Sequence, residues 1–94
     1  MLYVMFIENC TPFNDIDEAT IKRHQEHLKK YYDEKKLILS GPFKDYEGVA
    51  GMVVLKTGSY EEAEEICKQE PFVAEGYATY RLVTLQISYL AGGN

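Results

Sequence analysis

The pattern of hydrophobic and polar positions along the chain predicts four strands and two helices. Short runs rich in β-branched and aromatic residues are typical of strands, whereas apolar residues that recur every three to four positions indicate a helix. We expect strands at residues 2–7, 37–40, 49–56 and 79–90, and helices from residue 17 to about 35 and from 59 to about 69. A connection bracketed by Pro71 and Gly76 is expected to be irregular. The predicted order is therefore β-α-β-β-α-β.

Both predicted helices begin at capping patterns. Asp15 and Glu18 have the spacing of a capping box before the first helix, and Ser59 and Glu62 repeat that spacing before the second. The element order is the split βαβ pattern, which predicts an α+β, ferredoxin-like fold in which one antiparallel four-stranded sheet carries both helices on the same face. A chain of 94 residues is expected to form a single domain over residues 1–94.

The second face of this sheet is also predicted to be apolar. Side chains alternate between the two faces of a strand. In the first strand the two sides are Leu2, Val4, Phe6 and Tyr3, Met5, Ile7; in the third they are Val49, Val53, Leu55 and Ala50, Met52, Val54. Because large apolar patches are rarely left in water, we expect a homodimer in which two open sheet faces pack together. The alternative is a monomer with one solvated sheet face.

Composition and charge limit the kinds of partner that the protein is expected to bind. Apolar residues make up 46% of the chain and charged residues 27%, which is typical of a folded, soluble domain. The net charge of −5 disfavours nucleic acid as a partner. The apolar run at residues 2–7 is too short to cross a bilayer and lacks the features of a signal peptide. We therefore expect a cytoplasmic protein with no membrane partner.

Few residues offer chemistry. The sequence has no Gly-rich phosphate loop and no serine nucleophile motif, so no cofactor is expected, and its two distant cysteines, Cys10 and Cys67, predict neither a disulfide framework nor a metal site. His24 lies in the apolar stripe of the first helix, three residues after Ile21, and should face the sheet. By periodicity alone an inward histidine is more often a hydrogen-bonded core residue than a catalyst. His27 falls at the margin of the stripe, where a solvated or half-buried role is expected.

Several segments together resemble the YCII-related (YciI-like) proteins. The matching features are His24 and Leu28 on the first helix, residues 36–43 with their Gly41-Pro42 turn, the sequence Glu70-Pro71-Phe72-Val73, and Gly76. The resemblance implies a dimeric α+β barrel related to muconolactone isomerase, with a histidine and an aspartate as the active-site pair. Here the histidine falls on His24 and the aspartate position is held by Glu70, which keeps the carboxylate but adds a methylene group.

If this pair acts, Glu70 accepts the imidazole N–H of His24, fixes its tautomer and leaves the other nitrogen free as a general base. Such a base suits proton abstraction next to a carbonyl, as in isomerisation of a lactone or elimination of halide. The hypothesis is a cofactor-independent enzyme of isomerase, lyase or dehalogenase type that acts on a small organic acid or lactone. Arg23 and Ser40 lie beside the matched motifs and are candidates for substrate binding, although a solvated helix arginine and a turn serine are the simpler readings. Glu70 could equally be an ordinary carboxylate in an exposed loop.

Three other function classes stay open. A non-catalytic dimeric protein could hold a small ligand in its cavity. His24 and His27 could bind a metal or haem if carboxylates such as Glu26 or Asp33 completed the site, but no ligand motif accompanies them. A protein-interaction domain is suggested by the acidic face of the second helix, although solvation explains this face better: Glu61, Glu62, Glu64 and Glu65.

Overall fold

A computed structural model describes residues 1–92. The strands are β1 (Leu2–Glu8), β2 (Leu37–Pro42), β3 (Val49–Leu55) and β4 (Thr79–Leu85), and the helices are α1 (Glu18–Asp33), α2 (Tyr60–Gln69) and α3 (Pro71–Ala74), with a 3₁₀ turn at Phe13–Asp15. The strands form one sheet in the order β2-β3-β1-β4, and every neighbouring pair is antiparallel. The predicted α+β, ferredoxin-like fold is confirmed.

The hydrophobic core lies between the sheet and the helices. The inward-facing sheet residues Met5, Val53 and Leu55 are at most 2% exposed. They pack in one cluster with residues of all three helices: Tyr31, Ala63, Ile66, Cys67 and Phe72. Burial of these side chains removes apolar surface from water, which is the main stabilising contribution to a domain of this size.

The starts of the two long helices differ in how well the sequence predicted them. The carboxylate of Asp17 accepts a hydrogen bond from the Thr20 amide at 2.9 Å, so Asp17 is the N-cap of α1 and the predicted capping box at Asp15 is wrong. The Tyr77 hydroxyl donates to the same carboxylate at 2.8 Å, and together these bonds lower the pKa of Asp17. Ser59 caps α2 as predicted, because its hydroxyl accepts from the Glu62 amide at 3.1 Å.

The last strand is shorter than the sequence indicates. An apolar pattern continues to residue 90, but β4 ends at Leu85. Its one sheet neighbour among residues 1–92 is β1, and Leu85 is already opposite Leu2 at the first residue of that strand. Beyond this point within residues 1–92 no backbone partner continues the ladder, and Tyr89 is 98% exposed. The prediction of a strand to residue 90 is wrong because β1 begins too late to pair with it.

A β-bulge moves one side chain to the opposite face. Ile7 is opposite Gly51 and Glu8 is opposite Val49, so Ala50 is the extra residue of the bulge. One extra residue in a strand reverses the alternation beyond it. Val49 therefore lies on the open face, beside Phe6 and Arg81, and the predicted grouping of Val49 with Val53 is wrong.

The open face of the sheet is apolar and carries no helix within the described residues. Cross-strand neighbours on it include Val4 with Val54 and with Val83, and Leu2 with Leu85. Val83 is 38% exposed and Leu39, on β2, is 50% exposed. The two-faced hydrophobic sheet predicted from alternation is present.

No helix within residues 1–92 combines the length and the apolar character needed to cross a bilayer.

Candidate functional site

Glu70 lies at a sharp bend of the chain between two helices. It ends α2 and is the N-cap of α3, whose first residue is Pro71. Proline is favoured at the first position of a helix because the amide hydrogen that it lacks would have no partner within the helix. The Glu70 Oε2 atom accepts hydrogen bonds from the amides of Phe72 at 3.0 Å and Val73 at 3.3 Å. The short helix therefore holds the carboxylate at its N-terminus, where negative charge is stabilised.

The other carboxylate oxygen of Glu70 contacts His24. Oε1 meets the imidazole Nδ1 atom, while the Glu70 side chain is 1% exposed and the His24 side chain 13% exposed. The simple reading of Glu70 as an exposed loop carboxylate is therefore wrong. The structure brings together the two residues that the family resemblance paired, and the added methylene group does not prevent their contact. The catalytic role of the pair stays a prediction.

Phe72 fixes the plane of the imidazole ring. Its ring stacks on that of His24 with a centroid distance of 3.9 Å and an interplanar angle of 4°. Phe72 is itself 2% exposed, and a second aromatic ring, that of Phe13, contacts it in a T-shaped arrangement with a centroid distance of 5.4 Å. A hydrogen bond on one ring atom and a packed aromatic on one ring face leave the histidine little freedom to rotate.

A cavity of about 370 Å³ lies next to the histidine. Its lining is mainly apolar, and it is formed by one end of the sheet with α1, α3 and the segment after β1: Ile7, Cys10, Phe13, His24, Leu28, Ser40, Gly41, Pro42, Ala50, Gly51, Met52, Val53 and Phe72. Small-molecule sites have this size and character, with a few polar groups among apolar walls.

The Nε2 atom of His24 has no hydrogen-bond partner among residues 1–92, whereas every fully buried side-chain nitrogen or oxygen in that range has one. Nε2 is therefore not fully buried, and His24 is one of the residues that line the cavity. With Nδ1 turned to a carboxylate, which can only accept, the neutral ring carries its hydrogen on Nδ1. Nε2 then presents a lone pair, and the arrangement can remove a proton from a molecule in the cavity.

One wall of the cavity depends on a close approach of two strands. A Cβ atom added at Gly51 would lie 2.5 Å from the carbonyl oxygen of Gly41 on the neighbouring strand. Real Cβ atoms do not approach a backbone oxygen so closely, so glycine is required at position 51. Gly51 therefore allows β2 and β3 to approach each other in the wall of the cavity.

The two predicted substrate-binding residues lie in different places. Ser40 lines the cavity. Arg23 is absent from the lining; it donates to the Thr20 hydroxyl at 2.9 Å and forms an ion pair with Glu75 at 3.2 Å, in which both side chains are 49% exposed. This pair links α1 to the end of α3. A substrate-binding role for either residue stays a prediction, and the geometry favours Ser40.

His27 has a structural environment. It is half-buried as expected, and its Nε2 donates a hydrogen bond to the carbonyl oxygen of Ile66 on α2 at 3.0 Å. Its ring also contacts Tyr31 edge-on at 5.0 Å. Within residues 1–92 there is no group of three or more His, Cys, Asp or Glu side chains arranged to hold a metal ion.

Burial lowers the pKa of His27, which gives the protein a pH-dependent stability. As the pH falls below about 6.5, the unfolded chain protonates this histidine first, so the free energy of unfolding decreases. The loss stops once the pH is below the pKa in the folded state. In urea unfolding, we expect the native protein to lose stability relative to His27→Gln as the pH falls below about 6.5. A stability difference that stays constant with pH would contradict this.

Sequence reasoning missed three parts of the site. Cys10 lines the cavity, and burial, followed by the nearby charge of Glu70, raises its thiol pKa, so it is a neutral group there. Phe72 was part of the recognised motif, but only the structure shows that it stacks on His24. The helix α3 was predicted as irregular chain, although a Glu-Pro pair ahead of apolar residues is a signal for a helix start.

The acidic face of α2 is partly neutralised by neighbours. The Glu62 carboxylate pairs with Lys36 at 2.8 Å and accepts from the Gly58 amide at 2.9 Å. Glu64 accepts from the Tyr80 hydroxyl at 3.4 Å. These contacts give two of the four glutamates a role within the fold.

Comparisons with known proteins agree with this architecture. The sequence profile of the YCII-related domain matches residues 1–86. A protein of Bacillus subtilis (strain 168), the uncharacterized protein YjpA, is 36% identical over 74 residues, which cover 79% of this chain and 81% of that protein.

Two solved structures share the fold at low sequence identity. Muconolactone isomerase superposes with a TM-score of 0.74 and 16% identity, covering 100% of this chain and 97% of the other. The 5-chloro-2-hydroxyhydroquinone dehydrochlorinase TftG from Burkholderia phenoliruptrix AC1100, solved with 2,5-dihydroxybenzoquinone, superposes with a TM-score of 0.63 and 15% identity, covering 94% and 96%. At these identities the likeness shows the fold alone.

Proposed function

This chain belongs to the YCII-related domain family, and on that basis we propose that it is a cofactor-independent enzyme that uses His24 and Glu70 for acid-base chemistry on a small carbonyl compound. The reaction class is isomerisation, or elimination of a leaving group such as halide, on a lactone or a small organic acid. The observation that carries the proposal is the His24 imidazole held by the buried Glu70 carboxylate, with its second nitrogen not fully buried and the histidine in the wall of an apolar cavity.

The proposed reaction begins at Nε2 of His24. This atom removes a proton from a carbon next to the substrate carbonyl, and the electron pair of the broken C–H bond moves into an enolate. The imidazolium formed contacts the Glu70 carboxylate through Nδ1, and two backbone amides hold that carboxylate in place. Return of the proton to another carbon completes an isomerisation; loss of halide with its bonding electrons completes an elimination.

Ser40 is the candidate donor to the substrate oxygen. It is a hydroxyl-bearing side chain in an otherwise mainly apolar lining. A hydroxyl can donate one hydrogen bond to a carbonyl oxygen that becomes negative as the enolate forms.

The test follows exchange of substrate protons for deuterium by NMR. A five-membered lactone whose double bond lies one carbon away from the carbonyl (β,γ-unsaturated), so that the carbon next to the carbonyl is a CH₂ group, is incubated in D₂O with the native protein, His24→Gln or His27→Gln. We expect the native protein and the His27 variant to exchange the proton next to the carbonyl, and His24→Gln to be slower by a factor of about 10² to 10⁴. Equal rates for native protein and His24→Gln would overturn the proposal.

A second candidate function, a non-catalytic small-ligand-binding protein, is favoured by the cavity lining, in which few polar groups accompany the apolar walls. In that case the lactone binds with equal affinity to native protein and His24→Gln, and no deuterium is incorporated. The same NMR samples distinguish the two functions.

We also propose that two copies pair through their open sheet faces. The support is the contiguous apolar surface that includes Val83 and Leu39, which a second identical face would cover. Sedimentation is expected to give twice the 10.8 kDa chain mass for the native protein and a monomer for Val83→Glu. Tyr32→Glu, at a 64% exposed position on α1, is the control and should stay dimeric. A native monomer at micromolar concentration contradicts the proposal.

A further inference from the structure

The charged groups around the cavity limit the substrates that it can hold. Within residues 1–92 its lining contains no lysine or arginine. Nor does the lining within those residues contain a carboxylate; Glu70, which is 1% exposed, lies behind it in contact with the ring of His24. With that carboxylate ionised, the pair is neutral when the imidazole is protonated and negative when it is not. Within residues 1–92, no lysine or arginine is therefore part of the wall around a molecule in this cavity; Lys29 lines the adjoining pocket and pairs with Asp33 at 2.8 Å.

The arginine that the sequence suggested for binding an anionic substrate pairs with another residue outside the cavity. Arg23 lies on α1, one residue before His24, but its guanidinium pairs with Glu75 and binds the Thr20 hydroxyl outside the lining. Both members of the ion pair are 49% exposed. A bound carboxylate would thus have no partner for its charge.

A carboxylate that enters this half-open, mainly apolar cavity without a cation loses part of its hydration and gains no ion pair in return. Here it would also meet the negative charge of Glu70. An uncharged carbonyl group needs no ion pair when it is bound, since one hydrogen-bond donor satisfies its oxygen. Ser40 provides a hydroxyl within the lining.

The dimensions point to a single ring. The cavity measures about 370 Å³, and a closed apolar cavity of about 150 Å³ suffices for benzene. One five- or six-membered ring with small substituents therefore fits. The stacked rings of Phe72 and His24 and the edge of Phe13 form an aromatic side that suits a flat molecule.

We infer that the substrate is an uncharged monocyclic carbonyl compound, such as an unsaturated lactone or a cyclic enone, and that the site discriminates against carboxylates. That such a compound is a substrate rests on the proposed function, whereas the preference for binding uncharged compounds does not. It narrows the small organic acids and lactones considered from the sequence to the uncharged members.

The test uses a matched set of probes in calorimetric or NMR titrations. The probes are an unsaturated butenolide with a carboxymethyl substituent, the methyl ester of the same compound, and the unsubstituted butenolide. The ester and the acid have nearly the same shape and differ in charge. We expect the ester to bind native protein at least tenfold more tightly than the acid, and the unsubstituted ring to bind as well.

Two variants sharpen the result. Ser40→Lys adds a cation to the lining at an exposed position, and it should narrow or reverse the preference for the ester. Arg23→Gln should leave the affinity for the acid unchanged. Tighter binding of the acid to native protein, or a loss of acid binding in Arg23→Gln, would overturn the inference, as would failure of all three probes to bind.

The outcome is separable from the fate of the proposed function. Binding is read without turnover, and the preference for the ester should persist in His24→Gln, which cannot act as a base. A preference for the ester without deuterium exchange upholds the inference and removes the enzyme proposal. Exchange of deuterium into a tightly bound acid upholds the enzyme proposal and removes the inference about charge.

Discussion

Replacement of Glu70 by glutamine is expected to lower the rate of deuterium exchange into a bound lactone by a factor of about 10² to 10⁴ while the protein stays folded. The glutamine oxygen can still accept from the amides of Phe72 and Val73, so the cap of α3 is kept. Its NH₂ group then faces Nδ1 of His24 and donates to it. The imidazole hydrogen moves to Nε2, and the lone pair that serves as the base is lost.

Glu70→Ala separates this effect from stability. It removes the acceptor for two amides and for the imidazole N–H, and buried donors without partners cost about 1–3 kcal/mol each. We expect Glu70→Ala to lose clearly more unfolding free energy than Glu70→Gln in urea titrations. Native-like exchange by Glu70→Gln would contradict the role given to the carboxylate, and equal stability of the two variants would contradict its role as a cap.

Replacement of Phe72 by alanine is expected to cost about 3–5 kcal/mol of unfolding free energy. The side chain is 2% exposed and fills the space between the sheet core and His24. Its loss leaves a cavity and also removes the stacking surface of the imidazole, so the exchange rate should fall as well. The measurement is urea unfolding followed by circular dichroism.

Phe43→Ala is the matched control for Phe72→Ala. Phe43 follows β2 and is 39% exposed, so the same truncation removes less buried surface and should cost far less. Similar losses for the two variants would show that Phe72 is not a core residue in solution.

The fold could be predicted from the sequence because its hydrophobic periods are clear. Met5, Val53 and Leu55 alternate as expected and are buried on the helix side of the sheet. Two errors in the sheet are at positions decided by a partner strand: β4 stops at Leu85, where β1 runs out, and Val49 changes face at a bulge. Neither register can be read from one strand alone.

The candidate site was only partly accessible to sequence reasoning. Periodicity directed His24 inward, but its pairing with Glu70 came from a family resemblance, because 46 positions separate the two residues. The cap that holds Glu70 is formed by the helix that follows it, and that helix was predicted as irregular chain. Arg23 is next to His24 in sequence yet outside the cavity, since adjacent helix residues point in different directions.

The most direct test of the central claim is the tautomer of each histidine ring, measured by long-range ¹H–¹⁵N NMR at a pH where both rings are uncharged. The hydrogen bonds predict opposite tautomers: His24 carries its hydrogen on Nδ1, facing Glu70, and His27 carries its hydrogen on Nε2, facing the Ile66 carbonyl. His27 is therefore an internal control in the same spectrum. An Nδ1–H tautomer at His24 leaves Nε2 free to act as a base on a molecule in the cavity. An Nε2–H tautomer at His24 would contradict the account.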